Sequence, residues 1–339
     1  MKIIHFVYAD KVSGLEVLSM NILSELSSEN EVYYAAPEGD GLKVAESMGI
    51  GVIPCRTSDF RDIKRVVKEY MPDVVHAHDP HVSLNCALAG VKFVAHLHSN
   101  CAWLGKLCPN SLGLLFAVMR AKKVICVSES IVDEFLFSSI MRKKAVVLHN
   151  YVDRDIVMKK AMVRTEKSYD ISSVARMIVH KNPYFFVDFI EKLKSLKNDV
   201  SAVMIGDGEI FEDVKAYIKS RDLDNTIDLR GYDSNPFPVV KASKIGVLTS
   251  DIEGFGLVAV EAMALSKPFL TRPAGGLPLI VNESCGGLFE TPEDMAQEAY
   301  KLLTDEVYYE EKSKAALERS ALFTDKARYI SRLLDIYTE

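Results

Sequence analysis

Two glutamates eight residues apart, Glu253 and Glu261, stand in the stretch SDIEGFGLVAVEAMALSKP (250–268). The first adjoins a Gly-Phe-Gly turn and the second interrupts an apolar run that Pro268 ends. At about 100° per residue the run reads as a helix in which Leu257, Val258, Val260, Ala264 and Leu265 form one arc, with Glu261 inside it. Burying a carboxylate costs on the order of several kcal/mol unless something hydrogen-bonds it. Either a neighbouring Arg or backbone group satisfies Glu261 while Glu253 caps the helix, or both accept hydrogen bonds from the hydroxyls of a sugar or ribose. The helix start favours an anion at Glu253, and Gly254 and Gly256 let a ligand approach backbone amides.

Arg176 and Lys181, in SSVARMIVHKNP, follow a strand and precede a helix opened by Pro183. Such a pair suits a diphosphate, gripped bidentately by Arg and neutralised by Lys; solvated surface charge is the alternative. MIGDGE (204–209) ends a strand on a Gly-x-Gly turn without the third glycine of a dinucleotide fingerprint. Gly14 precedes a helix whose start suits phosphate. Five of the eight histidines lie in HAHDPH and HLH between 76 and 98. His76/His78 and His96/His98 share strand faces, and with Asp79 the set reads as a metal site or as core and loop histidines.

The elements that must position these groups alternate regularly. KIIHFVY, EVYYAAP, GVIPC, DVVHAHD, KFVAHLH, KVICVSE and AVVLHN read as strands separated by helix-like segments. ISSVAR, SAVMIGDG, TIDLRGY, KIGVLTS, PFLTR and GGLFE repeat the pattern after a charged stretch, with helices expected over 183–196 and 210–221. Near-continuous apolar strands alternating with helices imply parallel sheets covered on both faces. The expectation is α/β: two Rossmann-like doubly wound domains over 1–160 and 161–320, a linker near 155–168, and a C-terminal helix over 321–339 packing back on the first domain. Ligands then belong in the cleft beyond the carboxyl ends of the strands.

A net charge of −6, split as +2 over 1–165 and −8 over 166–339, argues against a nucleic-acid partner. Six cysteines without a CxxC pair read as buried reduced thiols. The N-terminal apolar stretch is too short for a signal peptide, which gives a cytoplasmic expectation. The helix candidate at 103–123, with Arg120, Lys122, Lys123 and the MRKK of 141–144, suits a peripheral site on the inner face of an anionic membrane; a core helix with solvated ends is the alternative.

Glu253-x7-Glu261 around GFG resembles the glutamate signature of retaining GT-B glycosyltransferases of the group-4 class. The resemblance covers nearly the whole chain and is strongest over 171–290. It implies transfer of a sugar from a nucleotide-diphosphate donor, UDP favoured, to a glycan or lipid-linked saccharide in cell-surface polysaccharide synthesis, without cofactor or metal. Glu253 would hold sugar hydroxyls and Glu261 the nucleotide ribose, with Arg176 and Lys181 on the diphosphate. Gly14, Gly206, Gly231, Tyr232, Gly254, Phe255, Gly256 and Leu257 would complete the donor site. His98 would face the donor sugar or orient the acceptor, and His78 would be a further acceptor residue. The catalytic set is then Glu253, His98, Arg176 and Lys181. A GT-B nucleotide-sugar epimerase, a metal hydrolase built on the histidines and a noncatalytic sugar-nucleotide binder are the alternatives.

Overall fold

The computed structural model describes residues 1–8, 14–165 and 167–339. The chain forms two units, one of 1–149 with 327–339 and one of 150–326. In the first, β1 (Lys2–Phe6), β2 (Glu31–Ala36), β3 (Gly51–Pro54), β4 (Val74–His78), β5 (Val94–Leu97), β6 (Lys123–Cys126) and β7 (Ala145–Val147) form a sheet in the order β3-β2-β1-β4-β5-β6-β7. In the second, β8 (Tyr169–Val174), β9 (Ala202–Ile205), β10 (Ile227–Arg230), β11 (Ser243–Leu248), β12 (Phe269–Thr271) and β13 (Gly286–Leu288) take the order β10-β9-β8-β11-β12-β13. Every pairing among these strands is parallel. Each of the thirteen expected strand segments forms a strand.

The strands are short, and the central ones are buried on both faces, as β-branched apolar runs require when helices cover a parallel sheet. Strand β9 (AVMI) is wholly buried, and in the helix Pro183–Leu196 residues Phe186, Phe189, Ile190 and Leu193 are sealed against the second sheet. That helix starts where its sequence says it should: Asn182 accepts from the Phe185 N–H at 3.2 Å and Pro183 fills the first turn, satisfying one of its free N–H groups. In each sheet the strand order reverses once, between β1 and β4 and between β8 and β11. At such a reversal neighbouring connections leave in opposite directions and open a crevice.

The chain enters the second unit at Asn150, earlier than the boundary expected at 160. The stretch expected as linker contains a helix, Arg154–Lys160, capped by Asp153, which accepts from the Ile156 N–H at 3.1 Å and pairs with Lys326 at 3.1 Å. A dense charge pattern there reflects a capped surface helix. Residues 327–339 return to the first unit, where Lys122 donates to the Tyr337 carbonyl at 3.2 Å and Lys123 pairs with Glu339 at 2.7 Å. No helix among the described residues is long and apolar enough to cross a membrane. The six cysteines are unpaired; Cys55, Cys86, Cys126 and Cys285 are buried, whereas Cys101 and Cys108 are partly exposed.

Gly206 ends β9 with φ +144°, and a Cβ there would stand 1.9 Å from the Ala175 carbonyl oxygen. Both terms forbid a side chain. Gly206→Ala is expected to destabilise the fold by about 2 kcal/mol or more, read as a lower denaturant midpoint with an unchanged slope.

Candidate active site

The carboxyl ends of the strands in the second unit gather most of the expected donor-site residues. Arg176 leaves β8, Gly206 leaves β9, Gly231 and Tyr232 leave β10, and Glu253 follows β11. Backbone bonds stitch the first three turns together: Met177 N–H to the Asp207 carbonyl at 3.0 Å, Ile210 N–H to the Met177 carbonyl at 3.1 Å, and Gly206 N–H to the Gly231 carbonyl at 3.1 Å. Arg176 is exposed, with no hydrogen bond or ion pair among the described residues. Its guanidinium and Lys181 both help to hold the His180 imidazole below its usual pKa, after burial, which is the larger cause.

Lys181 reaches across the strand reversal. Its Nζ donates to Glu253 Oε2 at 2.7 Å, with both side chains about one-sixth exposed (17% and 15%). Ser250 Oγ donates to the same oxygen at 3.4 Å, and the Gly254 N–H donates to Oε1 at 3.2 Å. The two loops are further joined by the His180 carbonyl, which accepts from the N–H groups of Asp251 (2.9 Å) and Ile252 (3.3 Å), and by Thr249 Oγ1 donating to the Asn182 carbonyl at 2.9 Å. Arg272 pairs with Asp251 from the loop after β12. Gly275, at φ +52°, lies so close that a Cβ would fall 1.6 Å from the Glu253 carbonyl oxygen. Glu253 is thus clamped from below by backbone and from the side by a cation.

Glu261 sits in the helix Leu257–Ala264 between buried Val260 and Ala262. It is half-buried, and no hydrogen bond to its carboxylate occurs among the described residues. Desolvation raises its pKa to about 7, opposed by the positive charge of Lys160. The alternative in which an Arg or backbone group satisfies this carboxylate does not hold among the described residues. Two other expectations need correction. The Phe255 ring is 2% exposed and packs edge-on against Phe323 at 5.5 Å, so only its backbone is left to serve a ligand. The Gly254 N–H is occupied by Glu253 itself. Tyr232 is 72% exposed, open for stacking.

In the first unit, β1, β4 and β5 lie side by side, with His5 opposite His76 and His78 opposite His96 in register. Gly14 opens the helix Gly14–Leu26, and the residues before it, 9–13, lie outside the described residues. His78, expected to touch an acceptor, is fully buried, with Nδ1 bonded to His98 Nε2 at 2.9 Å and Nε2 to His5 Nδ1 at 3.0 Å. It cannot contact a substrate; it contacts His98. His98 itself is partly exposed just beyond β5, and burial lowers its pKa to about 3, so its imidazole is neutral. Two histidine triads, 5/76/78 and 78/96/98, bring ring nitrogens within 4.8 Å of one another, which is what gives the metal alternative its substance; several of these nitrogens are engaged in hydrogen bonds with one another.

Sequence reasoning named Asp79 only as a companion of the histidines and passed over Tyr337. Asp79 adopts φ +72° at the end of β4, and burial, aided by Glu16, raises its pKa to about 7; its only sequence signal was a place beside the histidines. Tyr337 bonds both His5 and His76 from the far end of the chain, with no local signal at all.

In the basic segment, Lys122 and Lys123 hold the C-terminal helix, Arg142 pairs with Asp133, and Lys144 donates to the Met119 and Ala121 carbonyls at 2.7 and 2.6 Å. Of the six cations only Arg120 and Lys143 have no polar partner among the described residues. Arg120 lies near the exposed Leu107, Leu112 and Met119 in sequence.

Two parallel-sheet units of this topology define the GT-B class. HepE from Anabaena, solved in complex with UDP-glucose, has the same fold with a TM-score of 0.89 over 100% of this chain and 99% of its own, at 18% identity. The family model for group 1 glycosyl transferases matches residues 156–320 and that for glycosyltransferase family 4 matches residues 12–156; the chain belongs to these glycosyltransferases. An N-acetyl-alpha-D-glucosaminyl L-malate synthase of Bacillus anthracis is 25% identical over 263 residues, 73% of this chain and 69% of its own. A UDP-Gal:alpha-D-GlcNAc-diphosphoundecaprenol alpha-1,3-galactosyltransferase of Escherichia coli is 24% identical over 377 aligned positions, covering 100% of this chain and 97% of its own.

The raised pKa of Glu261 carries a stability consequence. Between its ordinary 4.5 and about 7 the folded chain binds more protons at this site than the unfolded chain, so this contribution is present below 4.5 and lost as pH rises through 7. Glu261→Gln removes the titration. Its melting temperature relative to the parent is expected to rise between pH 5 and pH 8, measured by thermal unfolding without ligand.

Proposed function

We propose that the enzyme is a retaining glycosyltransferase that moves a sugar from a nucleotide-diphosphate donor, UDP favoured, to an acceptor hydroxyl on a glycan or lipid-linked saccharide, in cell-surface polysaccharide synthesis. The observation that carries this reading is Glu261, a desolvated carboxylate without a hydrogen-bond partner among the described residues, in the helix that follows a clamped Glu253. A carboxylate held that way is an acceptor waiting for hydroxyls, and a ribose supplies two.

In this reading Arg176 and Lys181 take the diphosphate. Charge that grows on the leaving phosphate as the glycosidic bond breaks meets cations already in place, usually the largest contribution in such a site. Lys181 then bridges Glu253 and the diphosphate, and Glu253 orients sugar hydroxyls instead of attacking carbon. The two-carboxylate scheme of hydrolysis does not describe this pair, since one member is ion-paired with Lys181 and the other sits among the apolar residues of the following helix. The leaving phosphate itself takes the acceptor proton. Gly231 and the exposed Tyr232 serve the base, and His98 faces the donor sugar.

The names of the relatives support the finer points. The E. coli enzyme is named for a UDP-Gal donor and a diphosphoundecaprenol-linked acceptor, and the HepE structure holds UDP-glucose. Both relatives' names specify alpha linkages, the outcome of retention from an α-linked nucleotide sugar. The chemistry assigned to these residues calls for no metal or cofactor, and no nucleic-acid partner.

Lys181→Ala and Glu253→Ala are each expected to cut transfer at least about tenfold while far-ultraviolet circular dichroism is unchanged. Product masses from UDP-, GDP- and ADP-sugars, with and without acceptor and chelator, check the assignment. An isomerised donor without acceptor would indicate the epimerase, chelator-sensitive hydrolysis the metal enzyme, and binding without turnover a noncatalytic binder.

A lipid-linked acceptor places the work at the inner face of the membrane. The exposed Leu112 and Met119 beside Arg120 would be the contact surface, a mixed apolar and basic face of the kind that docks on anionic lipid. The variant Leu112→Ser/Met119→Ser/Arg120→Ser/Lys143→Ser spares the cations that hold the fold. It is expected to lose flotation with vesicles containing phosphatidylglycerol; equal partitioning with the parent refutes membrane docking.

A further inference from the structure

Six buried or partly buried side chains of the first unit form one hydrogen-bonded line. His98 Nε2 meets His78 Nδ1 at 2.9 Å, and His78 Nε2 meets His5 Nδ1 at 3.0 Å. His5 Nε2 meets Tyr337 Oη at 3.0 Å, Tyr337 Oη meets His76 Nδ1 at 2.6 Å, and His76 Nε2 meets His96 Nδ1 at 3.0 Å. Ser19 Oγ lies beside the second link, 3.1 Å from His5 Nδ1 and 3.4 Å from His78 Nε2. The two ends, His98 Nδ1 and His96 Nε2, are buried without a partner among the described residues.

We propose that Tyr337 is a positioning residue that couples the two halves of this line, so that the sealed His96 end fixes which ring nitrogen of His98 carries the proton. The inference rests on the reading of His98 as the residue that faces the donor sugar. A neutral imidazole has one N–H and one lone pair, and a phenol has one proton to donate. Every link is made only if the donors all point the same way along the line. That leaves two arrangements: all five rings protonated at Nε2 with Tyr337 donating to His76, or all five at Nδ1 with Tyr337 donating to His5. Interchange shifts one proton along each link, with a proton entering at one end and another leaving at the far end, so no ring changes charge. Ser19 fits both arrangements, because its hydroxyl turns toward whichever of the two nitrogens holds the lone pair. Protonation of any ring is opposed by burial and by neighbouring imidazoles, which hold His5, His76, His78 and His96 well below the usual histidine pKa. Burial first of all keeps the Tyr337 hydroxyl protonated.

The ends choose between the two. His96 is 0% exposed, whereas His98 is partly exposed at the strand end. An N–H without an acceptor is the rarer defect in a sealed interior. The Nδ1–H arrangement leaves only a lone pair at His96 and puts the orphan N–H on His98 Nδ1, an atom buried in this structure but belonging to the partly exposed end of the line, where a sugar hydroxyl or phosphate oxygen would accept it. His98 is then a hydrogen-bond donor to substrate rather than a base.

Nitrogen-15 NMR of the full-length, histidine-labelled protein reads the tautomers directly. The expected result is Nδ1–H at His5, His76, His78, His96 and His98 in the parent, and loss of that uniformity in Tyr337→Phe, which keeps the ring and removes the hydroxyl. Mixed tautomers in the parent, or an unaltered set in Tyr337→Phe, overturn the proposal. In transfer assays Tyr337→Phe is expected to lower kcat by about three- to tenfold with little change in donor KM. In the His98→Asn background, where an amide N–H replaces the imidazole donor, the same change is expected to have no further effect. An equal loss in both backgrounds means that Tyr337 only packs, and overturns the positioning role. Uniform Nδ1–H tautomers in a protein that transfers no sugar keep the hydrogen-bonded line and overturn only the donor-sugar role of His98.

Discussion

The ion pair between Lys181 and Glu253 joins the loop after β8 to the loop after β11 at the place where the strand order turns. Lys181 carries charge into a partly desolvated setting, and Glu253 would be stranded there without it. Everything else at this edge accommodates that contact. The Gly275 backbone lies against the Glu253 carbonyl, Asn182 and Thr249 tie the Lys181 turn to its neighbour, and Arg272 holds Asp251. In the proposed reading a donor diphosphate arriving at Lys181 would meet a cation whose position is already fixed, leaving little reorganisation to the reaction itself.

The two units put the same architecture to opposite electrostatic use. In the second, charged groups stand at the strand ends and Arg176 is exposed. In the first, titratable groups sit within the sheet layer and are neutral, since five imidazoles and a phenol satisfy one another and shut out charge. The proposed transfer would use both: fixed positive charge for the leaving group, and directional hydrogen bonding without charge for hydroxyls.

Much of this was legible in the sequence because it is local. Strand runs such as AVMI and the helix from Pro183 are written in side-chain periodicity and capping chemistry, which neighbours in sequence decide. Glu261 was legible for the same reason, as an acid out of place in an apolar arc. The parts that escaped depend on distant partners. Phe255 reads as a turn residue beside two glycines, yet its ring meets Phe323; His78 reads as a strand-end ligand, yet it is enclosed by His5 and His98. The cations of 120–144 look like a solvated patch until Tyr337, Glu339 and the end of a helix claim them. Hydrogen bonds spanning hundreds of residues leave no trace in a window of a dozen.

The helix Pro109–Arg120 begins at Cys108, whose carbonyl and N–H are both tied to the Ser111 hydroxyl. Burial pushes the thiols of Cys55, Cys86, Cys101 and Cys126 upward, but the Ser111 backbone bond draws that of Cys108 down. Nucleophilicity in a thiol follows its thiolate fraction and its access to reagent. Among these sulfurs, maleimides and oxidants therefore have one favoured target, at the foot of the segment with the exposed leucines, where a fluorophore would report on whatever that surface touches.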